Sequence, residues 1–151
     1  MKLSEHLDLS EVTRSNEAKR KGISNMPTPE HIENFKKLAE NIFEPIRKHF
    51  GVPILISSGY RSKELNKAIG GATTSQHLLG QAIDIDMDGS SSGVTNKMVF
   101  DFIKDNLNFD QLINEFNYAW VHVSYNPTGK QRKQILDALK VGGKTAYQPH
   151  K

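Results

Sequence analysis

The run Ala82-Ile83-Asp84-Ile85-Asp86 limits what this chain can fold into more than any other stretch. Its alternation is that of a β-strand, in which successive side chains point to opposite faces. Ile83 and Ile85 then share one face, and Asp84 and Asp86 the other. Two carboxylates on one strand face repel each other, and a metal ion turns that repulsion into ligation. His77 stands seven positions before Asp84, with Gly80 between them. An imidazole and a carboxylate do not complete a site, so the chain must supply a third ligand.

There is no cysteine. Disulfides and thiolate zinc sites are excluded, and any metal must be held by His, Asp or Glu. With 151 residues, 36% hydrophobic and 25% charged, residues 1–151 read as a single globular domain. Met1 to His6 lacks the apolar core of a signal peptide, and no stretch is long enough to span a membrane. The expectation is a protein that is cytoplasmic as encoded. The formal net charge of +3 fits an anionic partner such as cell wall or nucleic acid, and equally an ordinary charged surface. The basic residues are scattered and no nucleic-acid reader motif is present, so nucleic acid is not expected as a partner.

Residues 1–27 are polar with scattered leucines. Ser10 before Glu11 and Ser15 before Glu17 suggest two capped turns, the second ended by Gly22. The segment reads as a lid or clamp packed on the domain. Thr28-Pro29-Glu30 starts a helix, and apolar residues from Ile32 to Phe50 follow at helical spacing. Pro45 should kink this helix, and Gly51 should end it. Val52 to Ser57 reads as a buried strand. Ser62 caps a short helix stopped by Gly70-Gly71, and Ala72 to Gly80 is a loop carrying His77. Asp88 to Thr95 is a Gly/Ser-rich loop, and Thr95 caps another helix. Phe109 to Phe116 and Trp120 to Tyr125 are strands joined by a turn at Asn117-Tyr118. Ile135, Leu136 and Leu139 fit either a last helix or an edge strand.

Of the six histidines, His6, His31, His49 and His150 have bland surface contexts. His122 interrupts an apolar strand on the face it shares with Trp120 and Ser124. Alone it reads as a satisfied core residue. With His77 and Asp84 it gives three nitrogen and oxygen ligands, the pattern of a catalytic zinc site with one position open. His77 also reads as a loop cap, and Asp84 as a buried salt-bridge partner of Arg61.

In their order, Ser58-Gly59-Tyr60-Arg61-Ser62, Leu65-Asn66, Gly70-Gly71, Ser75-Gln76-His77, Gly80, Ala82, Asp84 and Trp120-Val121-His122 resemble the zinc D-Ala-D-Ala peptidase family. The nearest group is the one named for its carboxypeptidase C-terminal domain. The family includes D-Ala-D-Ala carboxypeptidases and phage L-alanyl-D-glutamate endolysins. The resemblance runs from Leu3 through the C-terminal strand. It implies an α+β fold, with a small central antiparallel sheet flanked by helices. It implies Zn2+ as cofactor, held by His77, Asp84 and His122. Arg61 matches the arginine that binds substrate and steadies charge on the scissile carbonyl. Ser75 matches a serine that holds substrate near the metal, and Asn66 a polar amide near the substrate.

Many relatives place an acid three residues before the last histidine, where this chain has Ala119. Glu115-Phe116 followed by Trp120-Val121-His122 reproduces the Glu-Phe and Trp-Val-His pairing of the nearest group. Glu115 is therefore the expected general base, with Asp86 as the alternative. The implied activity is hydrolysis of peptidoglycan stem peptides, by a monomer of lysis type that reaches the wall after release. The alternative, allowed by Ala119, is an inert wall-peptide-binding module that keeps the metal site.

Overall fold

The computed structural model describes residues 1–151 as an α+β fold built on one six-stranded sheet. Helix α1 (Leu9–Thr13) is capped by Asp8 in a capping box with Glu11. Ser10 instead donates to that Asp8 carboxylate, so this helix begins earlier than the sequence suggests. Ser15 caps α2 (Asn16–Lys21), and Gly22 closes it in the left-handed conformation. Leu3, Leu7 and Val12 from this N-terminal segment are buried in the main core. The clamp is thus part of the core.

Thr28 caps α3 (Pro29–Leu38). Instead of a kink at Pro45, residues Ala39–Phe43 widen into a π-helical turn, and α4 (Glu44–Phe50) resumes with proline in its first turn. A widened turn accommodates the missing proline donor without breaking the helical path. Phe35, Leu38, Ile42, Phe43 and Ile46 along this run are almost fully buried. Each contributes about 1.5–3 kcal/mol through burial.

The strands are β1 (Ile56–Ser58), β2 (Ala82–Ile85), β3 (Gln111–Glu115), β4 (Trp120–Ser124), β5 (Gln134–Val141) and β6 (Lys144–Pro149). The first is shorter than expected, because Pro53 has no N–H to give a ladder. Between β1 and β2 lie α5 (Lys63–Ala68) and a 3-10 turn (Gln76–Leu79), and α6 (Asn96–Asn106) precedes β3. The spatial order is β1-β2-β4-β3-β5-β6. All neighbours are antiparallel except β3 and β5, which run parallel, so the sheet departs from the purely antiparallel expectation at one pair. The undecided C-terminal stretch is a hairpin of β5 and β6. It turns at Gly142-Gly143, both with positive φ, which a two-residue hairpin turn requires.

Register divides the sheet into two faces. Ile83 lies opposite Val123, Ile85 opposite Val121, and Leu112 opposite Val123. These residues pack with α3, α4 and α6 in one core. On the other face Asp84 lies opposite His122, and His122 opposite Ile113. That face is the floor of a cleft.

Candidate metal centre and active site

The cleft has a volume of about 940 Å³. Its floor is the polar face of the sheet, and the loop from Gly70 to His77 forms one side. His77 sits in the 3-10 turn, which Ser75 caps by accepting from the His77 N–H at 3.2 Å. Its Nδ1–H donates to the Gly59 carbonyl at 2.6 Å. A carbonyl only accepts, so this bond fixes the proton on Nδ1 and leaves the Nε2 lone pair free. Nε2 is buried without a hydrogen-bond partner and lies 3.3 Å from Asp84 Oδ1. His122 Nδ1 lies 3.1 Å from the same oxygen.

These three residues offer ligand atoms that all fall within 4.8 Å of one another. Tetrahedral zinc–ligand bonds near 2.0–2.1 Å put neighbouring ligands roughly 3.3 Å apart, which matches the two separations to Asp84. An orphaned imidazole nitrogen aimed at a carboxylate fits a cation between them. Burial alone would raise the Asp84 carboxyl, but the two imidazoles hold it well below the ordinary aspartate range. The donor set is therefore one carboxylate and two imidazoles, without thiolate.

Glu115 reaches this floor through the β3–β4 hairpin. It lies opposite Trp120, two residues along β4 from His122 and on the same face. The turn that achieves this places Phe116, Asn117 and Tyr118 consecutively at positive φ. Three non-glycine residues in that region are strained. Asn96 secures the turn by donating to the carbonyls of Tyr118 and Ala119, and Asn114 Oδ1 accepts from the Tyr118 N–H. The Glu115 side chain is 8% exposed. Burial pushes its carboxyl up to about 7, with Asp84 adding to the rise and with His122 and Arg61 opposing it. Such a group exchanges a proton near neutral pH.

Asp86 is placed differently from the sequence expectation. Strand β2 ends at Ile85, and Asp86 lies just beyond it. Its carboxylate accepts from Asn96 Nδ2 and from the Asp88 N–H, and it does not line the cleft. Ala119 belongs to the turn, donating its N–H to the Glu115 carbonyl.

Arg61 lines the cleft, and its Nε is buried without a partner. Burial lowers its pKa, and Asp84 and Glu115 oppose that shift. Its backbone N–H donates to the His77 carbonyl at 3.1 Å. Asn66, the expected amide near the substrate, is 3% exposed and lies behind the cleft wall. Its Oδ1 accepts from Arg61 Nη1 and its Nδ2 donates to the Ala72 carbonyl, so it positions Arg61. Gly71 is obligatory here, because a Cβ would overlap Asn66 Oδ1 and lie 2.8 Å from Arg61 Nη1. Ser75 borders the cleft as expected.

Two supports were not legible in the sequence. Asn25 donates to the carbonyls of Thr13 and Tyr60 and accepts from the Ser62 N–H, bracketing Arg61 from both sides. Gln76 donates to Asp110, which also holds Arg132. Both are side chain–backbone or remote polar pairings that leave no periodic signal. Residues 1–27 do not line the cleft. Arg14 to Glu17 border a smaller depression that shares Arg61 with it.

A His-Asp-His cluster on a sheet floor, with a buried carboxylate and a buried arginine beside it, defines a metallopeptidase-type hydrolase site. The sequence model of the family described as Peptidase M15 matches residues 5–124, and the chain belongs to that family. No curated protein matches the sequence. The family match spans the metal cluster, Arg61 and Glu115, and stops before the β5–β6 hairpin. No helix is long and apolar enough to cross a membrane.

Proposed function

We propose that this protein is a zinc-dependent peptidase that hydrolyses an amide bond of peptidoglycan stem peptides, either D-Ala-D-Ala or L-Ala-D-Glu. The observation that carries the reading is the buried, unpartnered His77 Nε2 converging with His122 and Asp84 on a cleft floor beside Glu115. His77, Asp84 and His122 would hold the ion. When bound, zinc supplies Lewis acidity, bringing the pKa of water to about 7 and polarising a carbonyl.

The chain's own residues account for the rest. Glu115 takes the proton of the attacking water and returns it to the leaving amine, without a covalent enzyme intermediate. The Arg61 guanidinium, held by Asn66 Oδ1 on a backbone anchored to the His77 carbonyl, stabilises charge developing on the scissile oxygen. Ser75 holds the peptide at the loop side of the cleft. Trp120 walls the floor beside Phe116, with ring centroids 5.4 Å apart.

The test is mass analysis of products from purified muropeptides, with and without zinc and with chelator. Chelator-sensitive release of D-Ala, or of a peptide beginning at D-Glu, supports the reading and selects the bond. Zinc-loaded protein that binds muropeptides but releases nothing supports the inert module instead.

A further inference from the structure

The β5–β6 hairpin faces the catalytic floor yet lies outside the family match. It also lies in the part of the chain that holds the positive charge. Residues 125–151 carry Lys130, Arg132, Lys133, Lys140, Lys144 and Lys151 against Asp137 alone. That is a net +5, and with a chain total of +3 it leaves −2 on residues 1–124. The excess therefore lies in the C-terminal segment, of whose cations Arg132 and Lys140 line the cleft.

These cations are not equivalent. Arg132 is neutralised by a forked pairing to Asp110. Lys144 is at the hairpin turn and does not line the cleft. Lys140 does line it. Its ammonium lies 3.4 Å from the Thr145 hydroxyl and 5.1 Å from the centroid of the Phe116 ring, with no carboxylate paired to it. In the sheet, Glu115 lies opposite Ala138, and Ala138 opposite Tyr147. Lys140 follows Ala138 by two residues, on the same face. Glu115, Lys140 and Tyr147 all line the cleft. The Tyr147 phenol is a hydrogen-bond donor at neutral pH. Arg61 and Lys140 are two cations without carboxylate partners, on opposite sides of the catalytic floor.

We propose that the β5–β6 hairpin is the substrate-reading wall of this cleft, and that Lys140 selects peptides bearing a free carboxylate on the side of the scissile bond away from Arg61. Tyr147, on the same wall, donates to the bound peptide. This inference rests on the stem-peptide reading above.

The probes are three synthetic stem pentapeptides. One has all carboxyls free, one has the internal glutamate α-carboxyl as an amide, and one has the C-terminal carboxyl as an amide. Trp120 is the only tryptophan and lines the cleft, so its emission reports binding. Titrations in zinc-loaded Glu115→Gln protein keep the peptides uncut. One amide is expected to bind about three- to tenfold more weakly than the free peptide, the range for a single exposed charge pair and a partly screened one. Lys140→Gln should erase that difference, while Lys140→Arg and Lys144→Gln retain it. The proposal is overturned, with the peptide reading intact, by any of three results: neither amide is penalised, the penalty survives in Lys140→Gln, or Lys144→Gln erases it equally. If none of the peptides shifts Trp120 emission in the parent, the stem-peptide reading fails and the hairpin proposal with it.

Discussion

Replacing Glu115 with glutamine should stabilise the metal-free protein while abolishing its activity. The folded-state carboxyl titrates near 7 against an ordinary value of 4.5. Between those values the folded protein keeps a proton that the unfolded chain has released. Stability therefore falls as pH rises through this window, and the full penalty persists above it. The gap corresponds to about 3 kcal/mol as an upper bound, and water at the cleft mouth screens it to about 1–2 kcal/mol. Glutamine is isosteric and carries no charge, so it removes the penalty. The assay is urea unfolding with chelator present, at pH 5 and pH 8, for both proteins. The variant should gain about 1–2 kcal/mol at pH 8 and much less at pH 5. In the zinc-loaded form, kcat should fall by roughly 10²–10⁴-fold, as expected for loss of a general base. Equal stability of the two proteins at pH 8 would refute the strained, buried carboxylate. Full activity of the variant would refute its role as base.

Asp84→Asn should weaken zinc binding by at least about 10-fold, and chelator should lower the Tm of the parent but not of the variant. Peptidase activity should rise with pH on an acidic limb at or below about 7, because Glu115 must be ionised and a bound cation lowers its pKa further; kcat/KM against pH reads this directly, and the limb should vanish in Glu115→Gln. Asn25→Ala removes the bracket around Arg61, and should lower kcat/KM by about 10-fold with zinc content unchanged by metal analysis. Gly71→Ala should displace the Asn66–Arg61 pair and produce a similar loss, again with the metal retained.

The metal cluster was legible because each ligand sits in a strong local context. Asp84 is in an alternating strand, His77 is in a turn between glycines, and His122 stands in an apolar strand. Strand alternation then brings Asp84 and His122 opposite each other. The helix starts at Ser15, Thr28, Ser62 and Thr95 were readable because capping is a local hydrogen bond. Asp86 was misread because alternation carries no mark of where a strand stops. The pairing of Asn66 with Arg61 and Ala72 was not legible, because sequence shows an amide but not its partners. The C-terminal hairpin had a signal in Gly142-Gly143, a two-residue turn between stretches of β-forming residues. Its parallel pairing with β3 had none, since parallel strands join through long connections without turn chemistry.

The backbone contacts between His77 and the segment before α5 are reciprocal. The His77 ring donates to the Gly59 carbonyl, and the His77 carbonyl accepts from the Arg61 N–H. His77 and the backbone of Gly59 to Arg61 are therefore a single mechanical unit. Neither can drift without carrying the other, so small breathing of the loop shifts both together and preserves the spacing between them. No closing movement is needed to bring His77 and the Arg61 backbone into register, because folding has already aligned them.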